Sequence, residues 1–73
     1  MTSTERLLKK LNRTATSLTN HVGRGNMLGG QRSQELVDRY HDLKAEALEL
    51  NVWGDFCASR GYAADHDAYD FFA

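Results

Sequence analysis

The chain has one cysteine, Cys57, so an internal disulfide cannot form. An unpaired thiol suits a reducing compartment. No run approaches the roughly 18 apolar residues of a membrane span. The N-terminus, MTSTERLLKKL, lacks the apolar region of a secretory leader. A soluble, cytoplasmic protein is the expectation, with no membrane association. Strong nitrogen and sulfur ligands are equally sparse. His21, His41, His66 and Cys57 stand alone, none three or four residues from another. No metal or other cofactor is expected, and His66 is placed exposed in a turn of the tail. Internal repeats and low-complexity runs are missing too. At 73 residues the chain is one small domain with a thin core. Association with a second copy is the stabilising device left to it.

What is present is a pair of heptad seams. Leu36, Tyr40, Leu43, Ala47 and Leu50 fall at spacings of four and three, which places them on one side of a helix. Thr4, Leu8, Leu11, Ala15, Leu18 and Val22 repeat the pattern upstream. The glycine-rich loop GRGNMLGG joins them. The expected fold is all-α: an antiparallel two-helix hairpin, coiled-coil-like, with a short third helix and a packed C-terminal segment, in a single domain spanning 1–73. Thr2 with Glu5 has the form of a capping box. The threonine- and asparagine-rich second half of the first helix is expected to fray unless packing holds it, and Gly23 to end it. Ser33 is the candidate cap of the second helix, and Asn51 its left-handed terminator. Trp53, Phe56 and Cys57 share one side of the short helix, which Gly61 ends. Asp65 is the candidate cap of a last turn that turns Tyr69, Phe71 and Phe72 inward. Leu7, Val37 and Leu48 flank the seams, and two hairpins packed as a four-helix homodimer would cover them.

Charge is divided along the chain. Residues 1–32 carry six cations against Glu5, a net of +5, and residues 33–73 carry three against nine carboxylates, a net of −6. Attraction between the two helices is one reading of this. A basic face left open for an acidic partner is the other.

Several motifs fail on their context. Gly29-Gly30-Gln31 matches the tripeptide of peptide release factors, without their flanking basic segment or a second domain. The loop glycines lack the preceding strand and the Lys-Ser/Thr pair of a phosphate-cradling loop. Cys57 beside Trp53 and Phe56 reads as a small buried hydrophobe rather than a nucleophile. So small a chain offers no scaffold for a large apolar pocket, and an enzyme is not expected. The candidate partner-binding residues are therefore Arg6, Lys10 and Arg13 on the first helix, Arg24, Met27 and Leu28 at the hairpin tip, and Tyr40 through its hydroxyl.

The stretch LNVWGDFCASRGYAADHDAYDFFA, a third of the chain, resembles the ends of small accessory proteins of tailed phages. That resemblance implies a protein that binds and blocks a host protein, as anti-activators of quorum sensing and anti-CRISPR proteins do. It carries no residue assignments. The alternative function is a small nucleic-acid-binding transcriptional regulator that tracks phosphates with the basic face of the first helix.

Overall fold

The structure, a computed structural model, describes residues 2–73. Its helices are α1 (Ser3–Gly23), α2 (Gln31–Glu49) and α3 (Trp53–Arg60), followed by a short 3₁₀ helix, Ala68–Phe72. The long helices α1 and α2 pack on each other as a hairpin, and both shorter elements touch both long ones. No helix among the described residues is long and apolar enough to cross a membrane.

Local chemistry sets the helix ends. Thr2 is the N-cap of α1, and its hydroxyl accepts from the Glu5 amide at 3.1 Å. The expected fraying of α1 does not occur. Its polar residues bond back to the helix: Asn12 to the Leu8 carbonyl, Thr14 to that of Lys10 and Thr19 to that of Ala15. Buried Thr14, Ala15 and Leu18 hold the same turns by packing, so tertiary contact overrides weak propensity. The helix therefore runs on through Gly23, and Gly25 is the left-handed residue that ends it, at φ 88°. Asn51, at φ 58°, ends α2 as its residue type suggests. Behind it the Val52 amide donates to the Ala47 carbonyl at 2.9 Å. Gly61 ends α3 in the same way, with the Tyr62 amide on the Cys57 carbonyl at 2.8 Å. In each case a left-handed residue turns the chain so that the next amide satisfies an orphan carbonyl.

Two cap assignments need correction. Gly30, not Ser33, precedes α2. Ser33 lies buried within the first turn, where its hydroxyl donates to the Met27 carbonyl at 2.8 Å and meets His21 Nε2 at 2.7 Å. It ties the loop to both helices instead of capping one. In the tail, Asp67 rather than Asp65 caps the 3₁₀ helix. Asp67 accepts from the Tyr69 amide while Asp70 accepts from the Asp67 amide, both at 2.8 Å. The position is set by α2, since His41 Nε2 accepts from the Ala68 amide at 3.2 Å.

The core follows the seams with a small rotation. Leu7, Leu11, Ala15 and Leu18 of α1 meet Leu36, Val37, Tyr40, Leu43 and Ala47 of α2, and Trp53, Phe56 and Cys57 close over them. Thr4, Leu8 and Val22 are only half-buried. Leu50 continues the heptad of Leu36 and Leu43 but is 50% exposed. Leu7 and Val37 do not wait for a second copy, since both are buried within one chain. Of the three flanking residues only Leu48 stays exposed, at 54%.

The hairpin has two sides that are treated differently. On one, Arg60 reaches Asn12, Lys44 donates to the His66 carbonyl and His41 receives the Ala68 amide. That side is filled by α3 and the tail. Helical periodicity puts Lys10, Ser17 and Arg39 on the other side, which neither α3 nor the 3₁₀ helix fills.

Replacing Leu11, which is wholly buried, with alanine is expected to cost about 2–5 kcal/mol. Leu50→Ala is expected to change stability by about 0.5 kcal/mol or less. Urea denaturation of both variants checks the pair; equal losses would mean that the seam has been assigned to the wrong residues.

Candidate functional site

The uncovered side is a furrow between α1 and α2. One cleft of about 370 Å³ is walled by Lys10, Arg13, Thr14 and Ser17 of α1 and by Arg39 and Leu43 of α2. A second, of about 180 Å³, continues toward the hairpin tip between Ser17, Asn20, His21 and Arg24 on one side and Arg32 and Leu36 on the other. Ser17 borders both, so the two clefts adjoin along the same side of the hairpin. Its register is a heptad. Lys10, Ser17 and Arg24 form one rim, Arg32 and Arg39 the other, and Leu36 and Leu43 lie at its base.

No carboxylate lines either cleft. Among the described residues the single ion pair is Arg32 with Glu35, at 3.3 Å and well exposed. Lys10, Arg13, Arg24 and Arg39 thus have no ion-pair partner there. The attraction expected between the two long helices is not expressed as any contact between their charges. Cations facing each other across a cleft with protein walls raise the local potential above that of scattered surface charges. Hydroxyls add to this. Thr14 already donates to the Lys10 carbonyl and keeps its acceptor lone pairs, while half-buried Ser17 has no hydrogen bond to a described residue.

The residues singled out from the sequence separate into four groups. Lys10, Arg13 and Arg24 line the furrow. Arg6 is exposed one turn before Lys10 but outside it. Met27 and Leu28 stand out from the tip, at 79% and 47% exposure. Tyr40 is the correction. It is 0% exposed, its hydroxyl bonds to His66 Nδ1 at 3.0 Å, and burial pushes the phenol well above its ordinary range. It cannot touch a partner.

Arg39 is the residue that sequence reasoning missed. It sits in a helix whose other charges are mostly acidic, so a tally by helix hides it. Its position four residues before Leu43 and seven after Arg32 marks the rim only once α2 is set against α1.

His66 is also not exposed as expected. Its ring stacks on Tyr62 with centroids 4.0 Å apart and planes 5° apart, and Phe71 meets its edge at 4.9 Å. Burial holds it below the usual histidine range, against the opposite pull of Asp70 and Asp67. Cys57 is buried, and desolvation raises its thiol, partly offset by Lys44. A buried thiol held protonated is a poor nucleophile. Gly29 and Gly30 form the turn into α2, with Gly29 at φ 103°.

No protein-family model, curated protein or solved structure matches this chain.

The lowered His66 value fixes a pH dependence. The unfolded chain takes up its proton near pH 6.5, and the folded chain only below that. Stability contributed by neutral His66 is complete above about pH 6.5 and falls as pH drops from there toward the folded value. Melting temperatures from pH 7.5 down to 5 are expected to decline, and the decline to flatten in His66→Asn. An equal slope in the variant would place the titration elsewhere.

Proposed function

We propose that this chain is a small non-enzymatic protein-binding module, a cytoplasmic accessory protein of the phage type that docks on a host protein and inhibits or modulates it. The observation that carries the reading is the furrow: cations from both long helices converge on it and no carboxylate of the described residues lines it. Arginine is a residue type that anchors interfaces, and so are large apolar side chains such as Met27 beside it. The resemblance of the C-terminal third to small phage accessory proteins supports the same class of task.

The furrow also attracts phosphate, but its surroundings favour a protein. Glu35, Asp38, Asp42, Glu46 and Glu49 recur along the exposed flank of α2. A nucleic-acid duplex is wider than a furrow between two helices and would overlie that acidic flank. A narrow acidic segment of a protein would not.

Lys10→Glu with Arg13→Glu is expected to leave stability within about 1 kcal/mol, as surface changes usually do, and to abolish association with the host protein that crosslinks to the wild type. Mobility-shift assays at two salt concentrations run the competing case, since phosphate-driven binding weakens steeply with salt. Unchanged crosslinking by the reversed variant, or a salt-sensitive shift of duplex DNA that the reversal removes, overturns the protein-docking reading.

A further inference from the structure

We infer that the occupant of the furrow is an α-helix of the partner, with carboxylates spaced along one face. This rests on the reading of the furrow as a protein-docking surface and names the shape and charge of what docks. Three observations converge on it.

The first is architectural. A hairpin of two helices has two grooves, and this chain fills one of them with its own α3 and 3₁₀ helix, each packed against both α1 and α2. The equivalent groove on the other side is open. A third helix is the shape that a two-helix groove receives, and a helix laid in a groove is a recurrent mode of peptide recognition.

The second is the spacing of charge. Lys10 and Arg24 bound one rim and lie fourteen positions apart, about 21 Å along α1. Arg32 and Arg39 stand opposite, seven positions apart. The positive stretch ends where Glu46, next in the row of Arg32 and Arg39, replaces a cation. A helix of about 14 residues spans that stretch, and carboxylates at i, i+4, i+7 and i+11 would recur along the face turned toward these cations.

The third is what the furrow lacks. Its base holds Leu36 and Leu43, both already buried in the hairpin core, so neither leucine offers an occupant much surface to cover. The complementarity is therefore electrostatic, and the complex is expected to be salt-sensitive and fast-forming. Exposed Met27 and Leu28 at the tip end of the furrow are placed to meet apolar residues on one end of the docked helix.

The test uses the full chain and two synthetic peptides followed by fluorescence anisotropy. One is a lactam-bridged helical peptide of about 14 residues with glutamates at i, i+4, i+7 and i+11. The other has the same composition with Pro-Gly at its centre and no bridge. The helical peptide is expected to bind about tenfold more tightly than the broken one. Its binding should weaken between about 50 and 300 mM salt, and should drop about tenfold or more in Arg39→Glu and in Lys10→Glu with Arg13→Glu. Lys9→Glu makes the same kind of charge change on an exposed position outside the furrow and should retain binding. Circular dichroism melting confirms that each variant is folded.

Equal affinity for both peptides overturns the helical occupant while leaving a protein-docking furrow. No binding of the helical peptide at millimolar concentration overturns the inference, and if duplex DNA binds in its place the docking reading fails with it. Salt-sensitive self-association of the chain alone, seen by sedimentation and removed by Arg39→Glu, overturns an external helix in favour of the acidic flank of a second copy.

Discussion

A phenol fully removed from water needs a hydrogen-bond partner, because a buried hydroxyl left alone costs about 1–3 kcal/mol. Tyr40 is that phenol, and much of the fold follows from it. It lies in the middle of α2 with its ring against Trp53, Phe56 and Phe71, at centroid separations of 5.9, 6.3 and 5.3 Å. Its hydroxyl reaches His66, 26 positions away. To meet that requirement the chain must return across α2 after α3. The Trp53 indole on the Ala64 carbonyl and Lys44 on the His66 carbonyl hold that return. No buried polar side-chain atom among the described residues is left without a partner, so the aromatic layer is closed in its polar bonds as well as in its packing.

The same closure makes the molecule one-sided. Six of the seven Phe, Trp and Tyr residues follow α2 in the sequence; five of them pack in or against the core over one groove of the hairpin, while Tyr69, expected to turn inward, is 50% exposed. The other groove has only leucines at its base and cations on its rims. Charge that stabilises a fold is usually paired or distributed, and here Lys10, Arg13, Arg24 and Arg39 make no ion pair with any described residue, while Arg32 pairs only with its exposed helix neighbour Glu35. No ion pair among the described residues joins the two long helices across the furrow.

Much of this was legible in the sequence, and the misses share one cause. Heptad spacing is a property of the helix itself, so the hairpin, its residues Leu11, Leu18, Leu36 and Leu43, and the left-handed Asn51 and Gly61 can all be read from local pattern. Tyr40 was placed on the seam for that reason, yet its hydroxyl was sent toward the surface, because its partner lies across a loop. Ser33 and Asp67 show the same limit. Serine and aspartate offer several local bonds of similar strength, and the choice is made by His21, Met27 and His41, which are remote in sequence. The candidate furrow was half legible. Lys10 and Arg13 form a stripe on one helix, but Arg39 belongs to the other, and a furrow exists only once two helices are set side by side.

That separation has a physical consequence for how such a protein can change. The aromatic layer is densely packed, and nearly every substitution in it alters volume or strands a polar group. The furrow residues are long and exposed, and they touch solvent more than they touch one another. Substitutions there move stability little, while each reversal of sign changes what the surface attracts. Stability is held on one side of the hairpin by shape, while the other side carries the convergent charge. The two meet at Leu36, Leu43 and Thr14, which are buried and line the furrow at once, and at His21, which lines it and meets Phe72 at a ring separation of 6.4 Å. A change at the three buried positions would alter the hairpin packing and the depth of the groove together. A change at Lys10, Arg13 or Arg39 would re-aim the surface and leave the hairpin as it is.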